Sequence, residues 1–148
     1  MVDIRHRVGI AAPRSRVFEA LTTTGGLAAW WTRDVQGDPA PGGRLRFRFG
    51  SPDGGADMEV TDVVEGQRVE WRCVQGPEEW MATTVTFSVK EGEGETILVF
   101  THDGWPEPAE FLHHCSTKWA HHLLGLKAGL EGGRATPYPD DLPISSWG

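Results

Sequence analysis

The sequence is short of cysteine, of positive charge and of long apolar runs, and each shortage removes a class of protein. Its 148 residues include two cysteines, Cys73 and Cys115, far apart and with no secretion signal ahead of them, which favours reduced thiols over a disulfide scaffold. Fourteen basic residues face 21 acidic ones, a formal charge of −7, so the positive footprint that phosphate backbones need is missing and nucleic acid is not expected as a partner. No stretch approaches the ~18 apolar residues of a membrane span, and the opening MVDIRHRVGI lacks the apolar centre of a signal peptide. A cytoplasmic protein with no membrane span is the expectation. Also missing are G-x-S-x-G, the phosphate-binding G-x-x-x-x-G-K-[ST] and G-x-G-x-x-G, which sets aside nucleophile-elbow hydrolases and the common nucleotide folds, and no cofactor is expected.

What the chain does hold is tryptophan, seven in all, and turn residues, with 19 glycines and 10 prolines. Residues 2–10 alternate weakly, with Ile4, His6, Val8 and Ile10 on one face, and read as a strand. Val17, Phe18 and Leu21 then fall at helical spacing behind Pro13, and Thr22 to Gly26 break the pattern. A short second helix over Leu27–Trp31 follows, with Thr23 or Thr24 as its cap. Trp31 cannot share Trp30's direction, which puts one of the two at the surface or at a mouth.

After the turn residues Pro39 to Gly43, Leu45, Phe47 and Phe49 alternate with Arg44, Arg46 and Arg48, the clearest strand pattern in the chain. Ser51 to Gly55 turn it into a strand with Met58 and Val60 inward and Asp57, Glu59 and Thr61 outward. Three more strands are expected: Val69–Cys73, then Trp80–Val89 with Met81, Thr83, Val85, Phe87 and Val89 on one face, then Thr96–His102. Turn signals recur about every ten residues, the spacing of an antiparallel meander rather than of βαβ units.

Residues 107–131 form the longest helical pattern, about 37 Å at roughly 1.5 Å per residue. Phe111, Leu112, Cys115, Trp119, Leu123, Leu126 and Leu130 fall in one apolar sector, opposite His113, Thr117 and His121. Pro108 suits the first turn, and Gly132-Gly133 with Pro137 end it. The fold class is therefore α+β: a curved antiparallel sheet of about six strands closing round one long C-terminal helix, with two short helices after the first strand. The whole chain, 1–148, is expected as a single domain with its core over about 2–132 and an irregular tail over 133–148.

Several runs carry a family resemblance: Val17-Phe18-Glu19-Ala20-Leu21-Thr22, Leu27-x-x-Trp30-Trp31, Pro41-Gly42-Gly43, Val69-Glu70-Trp71, Asp103-Gly104-Trp105 and Lys118-Trp119-x-x-x-Leu123-x-x-Leu126-Lys127. In this order the chain resembles the Activator of Hsp90 ATPase homologue 1-like group of the START-like, helix-grip superfamily, over about residues 9–132. Lys118 stands where that group usually has glycine. The resemblance implies a deep cavity between sheet and helix that suits a small apolar or amphipathic molecule. It names no reaction.

The residues expected to line such a cavity are Phe47, Phe49, Met58, Trp71 and Met81 from the sheet, Trp30 from the short helices, and Phe111, Cys115, Trp119 and His122 from the long one. Trp80 and Trp105 lie on or beside the same elements. His122 sits on the apolar side of the helix, unlike His113, His114 and His121, and is either a satisfied core histidine or an acid–base group. His102 is the other candidate base if it points inward with Leu98 and Phe100, with Glu59 and Asp62 as distant alternatives. The helical histidines are one, seven, eight or nine apart, not the three or four that one helix needs to chelate, so no metal is expected. Gly125 and Gly129 mark either a close backbone approach or space for a ligand.

Three functions remain open: a ligand-binding protein, a polyketide cyclase or aromatase-like enzyme using the same cavity, and a co-chaperone-like protein-binding module. Partners would be a small hydrophobic molecule or, for the third, a chaperone. The chain is expected as a monomer or homodimer.

Overall fold

The computed structural model describes residues 1–148. In chain order the elements are β1 (Val2–Ile10), α1 (Arg14–Thr22), α2 (Thr24–Ala28), β2 (Asp34–Gly37), β3 (Arg44–Arg48), β4 (Gly55–Val64), β5 (Arg68–Gln75), β6 (Thr84–Glu91), β7 (Thr96–Trp105) and α3 (Glu110–Leu130). All seven strands join one antiparallel sheet in the order β1-β7-β6-β5-β4-β3-β2. The meander from β2 to β7 uses short turns, and β1 is added beside β7 by pairing Ile4 with His102 and Ile10 with Thr96. This is the helix-grip architecture: a curved sheet with α3 lying in its concave face.

The strand patterns place the side chains as the alternation requires. Leu45 and Phe47 of β3 are fully buried, as are Met58 of β4 and Val85 and Phe87 of β6. On α3 the buried residues are Leu112, Cys115, Trp119, His122, Leu123 and Leu126, and each leucine removed from water contributes roughly 1.5–3 kcal/mol. The helix is anchored at its far end, where Lys127 Nζ donates to the Gly9 carbonyl at 2.6 Å and Glu131 accepts from the Ala11 N–H at 2.7 Å. These bonds tie α3 to the end of β1.

Four local expectations need correction. The sheet has a seventh strand, β2, whose Asp-Val-Gln-Gly is mostly exposed and is held by backbone pairing to β3. α2 spans Thr24–Ala28 and includes both glycines; Thr23 caps it by accepting from the Gly26 N–H at 2.9 Å. Pro108 lies just before the Ala109 cap of α3 rather than in its first turn. Lastly, Trp80 closes a single 3-10 turn over Glu78–Trp80, and β6 starts only at Thr84. Ala82 between them has φ of 63°, the left-handed region that turns the chain out of strand geometry. Met81 consequently points outward and is 45% exposed, so it lines no cavity.

Asp57 keeps its outward place opposite Arg46 of β3, yet it is buried, because the arginines of that face cover it. The carboxylate is neutralised there by Arg48 Nη1 at 2.7 Å and Arg44 Nε at 3.6 Å.

Candidate binding site

The space between the sheet and α3 is filled by the chain's own aromatic rings. Trp31 lies 4.4 Å from Phe47 and 4.7 Å from Trp119, Phe100 lies 4.6 Å from Trp119, and Trp71 lies 5.0 Å from Phe87, all as ring centroids. Trp30 donates its indole N–H to the Ala20 carbonyl at 3.0 Å. Trp30, Phe47, Met58 and Trp71 are therefore packed core, and the deep cavity that the resemblance implies is not open in this chain.

His102 is part of that core. Trp119 Nε1–H donates to His102 Nδ1 at 3.1 Å, which leaves the ring proton on Nε2, facing Thr83 Oγ1 at 2.9 Å. Thr83 passes its own hydroxyl proton to the Trp80 carbonyl at 2.5 Å. Burial lowers the His102 pKa to about 3, which keeps the ring neutral, and both nitrogens are engaged. Glu59, an exposed β4 residue, and Asp62, paired with Arg68, lie outside the pocket described next.

What is open is the mouth. A pocket of about 430 Å3 lies between the first half of α3, the ends of β3 and β4, the segment at Pro77–Trp80 and the C-terminal tail. Its apolar walls include Trp31, Phe49, Trp80, Phe111, Trp119 and Trp147, and Cys115 also lines it. Burial raises the Cys115 thiol to about 12, outweighing the lowering by the neighbouring Trp80 N–H, so it is not a nucleophile. The Trp80 indole N–H has no oxygen or nitrogen partner. Two other depressions are less suited to an apolar guest. One of about 610 Å3 along β2 and β3 is lined mainly by polar and charged residues, and the other, about 260 Å3, lies beside Gly125 and Gly129.

The polar side of the mouth pocket is built by α3 and the tail together. Lys118, with 18% of its side chain exposed, donates to Asp141 Oδ2 at 2.5 Å and to the Leu142 carbonyl at 2.8 Å. His122 lies behind them, its Nδ1 at 3.1 Å from the Trp30 carbonyl. A carbonyl only accepts, so Nδ1 carries the proton and Nε2 presents a lone pair, 3.7 Å from Asp141 Oδ2. Burial lowers the His122 pKa to about 4, although the Asp141 carboxylate opposes the shift.

The tail is fastened by backbone and side-chain bonds. Tyr138 N–H donates to the Trp31 carbonyl at 2.9 Å, and the Arg33 N–H donates to the Tyr138 carbonyl at 3.2 Å. Arg33 also pairs with Asp140, Ser145 Oγ meets His114 Nδ1 at 2.6 Å, and the Trp147 ring stands edge-on to Phe111 at 5.6 Å.

Of the expected lining, Phe49, Phe111, Cys115, Trp119 and His122 reach this pocket. The sequence reading missed Lys118, Tyr138, Asp141 and Trp147. Only Lys118 carried a signal, as a charged residue on the flank of the apolar sector of α3. Trp31 is the mouth member of its pair, although both rings are buried. No group of three His, Cys, Asp or Glu side chains is arranged to hold a metal ion.

A sheet gripping one long helix, with a pocket at the open end, defines a START-like protein of the helix-grip class. The chain belongs to the Activator of Hsp90 ATPase homolog 1-like family, whose model matches residues 11–131. Among solved structures it is similar to the Aha1 dimer from Colwellia psychrerythraea, 42% identical with a TM-score of 0.82 over 90% of this chain and 98% of that one. It is also similar to DynU16, from the dynemicin biosynthetic locus, at 26% identity and a TM-score of 0.76, over 92% of this chain and 49% of that one. A protein from Staphylococcus saprophyticus, at 21% identity and a TM-score of 0.76 over 92% of this chain and 97% of that one, shares the fold. No curated protein matches the chain. No helix is long and apolar enough to cross a membrane.

Proposed function

We propose that the chain binds a small amphipathic molecule in the mouth pocket between α3 and the C-terminal tail. The observation that carries this reading is the pairing of an aromatic wall (Trp31, Phe111, Trp119) with a buried polar corner (Lys118, His122, Asp141) in one concavity. Apolar burial supplies affinity at about 25 cal/mol per Å2, and a few fixed polar groups supply orientation. The test is amide and indole NMR during titration with a panel of two-ring aromatic compounds. Shifts gathered at Trp31, Phe111, Trp119 and Trp147 are expected; a panel that moves no resonance, or moves only surface residues elsewhere, overturns the reading.

Two other readings have support of their own. The filled interior and the family favour a co-chaperone-like module, for which calorimetry against an Hsp90-type chaperone would give a saturable heat. The neutral Nε2 of His122 favours a cyclase-like base acting on an enolisable ligand, for which turnover would follow pH and vanish in His122→Gln. His102 is unsuited to that role because its nitrogens are bonded within the core.

A further inference from the structure

We propose that the ligand class of the mouth pocket is an aromatic carboxylate, and that Asp141 on the tail is a built-in competitor occupying its carboxylate position. The inference rests on the ligand-binding reading above and adds to it the charge of the ligand and a regulatory role for the tail.

Three observations converge on it. The ammonium of Lys118 is largely buried, and its hydrogen bonds, to the Asp141 carboxylate and the Leu142 carbonyl, are both with the tail. An isolated buried ammonium is costly, so this position requires an anion. The anion it has is delivered by a segment without helix or strand, whose backbone pairing to the fold is an isolated bridge between Thr32 and Tyr138 and whose other ties are side-chain contacts such as Arg33–Asp140 and Ser145–His114. Such a segment can leave at far smaller cost than any part of the sheet or α3.

The second observation is that Asp141 is held from one side only. His122 faces the same oxygen at 3.7 Å, but its ring proton is committed to Trp30, so it gives the carboxylate no proton. Lys118 is the single charge-assisted donor, and a ligand carboxylate would receive the same bond.

The third is the shape of the remaining space. The pocket that holds this carboxylate is also lined by Trp31 and Trp119, whose rings pack on one another at 4.7 Å with 39° between their planes, and by Trp147, which is 56% exposed. Flat aromatic guests match such walls by offset or edge contacts. A ligand with a planar body and one terminal carboxylate satisfies Lys118 and the rings together once Asp141 withdraws.

The experiment compares 2-naphthoate with its neutral counterpart 2-naphthalenemethanol, titrated by calorimetry into the full chain. Asp141→Asn keeps the size of the side chain and removes its charge. The expected result is a gain of about tenfold or more for naphthoate, the scale of one charge-assisted hydrogen bond, with naphthalenemethanol changed by less than about twofold. In the double variant Lys118→Met with Asp141→Asn, which leaves no buried charge unpaired, the preference for naphthoate should disappear. Amide NMR spectra check that both variants are folded. Equal gains for both probes would mean that the tail is only loosened, and no gain for naphthoate would mean that Asp141 does not compete; either result overturns the inference while leaving the pocket a ligand site. If neither probe binds any form of the protein, the ligand-binding reading falls and takes the inference with it.

Discussion

At the scale of single residues, the two buried histidines have different surroundings and different consequences. His102 is a structural relay: it accepts from Trp119 and faces Thr83, which in turn donates to the Trp80 carbonyl. His102→Phe fills similar space but strands the Trp119 N–H in the core, and a buried unsatisfied group costs ~1–3 kcal/mol. A loss of about 2–4 kcal/mol in urea unfolding is expected, with pocket binding unchanged. Acid should destabilise the protein through the same residues. Burial depresses the folded pKa of His102 to about 3 and of His122 to about 4 from an ordinary 6.5. Between those values the unfolded chain binds protons that the folded chain refuses, so stability is complete above 6.5 and falls as pH drops towards 4. Each histidine contributes a slope on the order of 1 kcal/mol per pH unit in that window. Urea midpoints at pH 7, 6 and 5 should fall accordingly, and His122→Gln should remove about half of the fall; a midpoint flat across that range would contradict burial of the neutral rings.

At the scale of elements, α3 contains a place where the chain has not taken the stability open to it. A methyl group added at Gly125 would sit 3.7 Å from the Ala135 side chain, and one at Gly129 would sit 3.6 Å from it, both ordinary contacts. The close approach read from these glycines is therefore the tail at Ala135, and it leaves room for a methyl. Gly125→Ala or Gly129→Ala should each raise stability by about 0.5–1 kcal/mol through helix propensity, read as a higher urea midpoint. Gly55 is the contrast: its φ is +118° and a Cβ would lie 1.9 Å from the Phe47 carbonyl oxygen, so Gly55→Ala should cost more than ~1 kcal/mol. Elements were legible in the sequence wherever one face is buried, because burial writes a period into the residues. The two inward positions of β3, Leu45 and Phe47, and the apolar sector of α3 are of that kind. β2 was not legible, since an exposed edge strand needs no apolar alternation. Met81 was misread for a different reason: the positive φ of Ala82 displaces the two-residue count by one and leaves no mark in hydrophobicity.

At the scale of the whole molecule, the mouth pocket was the least legible feature because it depends on a meeting between α3 and a tail with no periodicity. Lys118 and Asp141 are 23 residues apart, and nothing local to either predicts the other. The aromatic residues read as a cavity lining were correctly placed on the concave side, yet periodicity cannot tell a ring that fills a space from one that faces it. The tail itself is the part to test. It adds only an isolated bridge to the sheet, so ending the chain at residue 133 should leave the far-ultraviolet circular dichroism nearly unchanged. Two backbone bonds to Trp31 and Arg33 are lost, each contributing ~1 kcal/mol, while Lys118 gains water in place of Asp141. A loss on the order of 2 kcal/mol follows, or roughly 4–8 °C in melting temperature for a domain of this size. Uncovering Phe49, Phe111 and Trp119 should also raise the fluorescence of an added naphthalenesulfonate dye, as an exposed apolar concavity would. A strap that merely lies on the surface would change neither the melting temperature nor the dye signal, and that outcome would remove the tail from any role in forming the pocket.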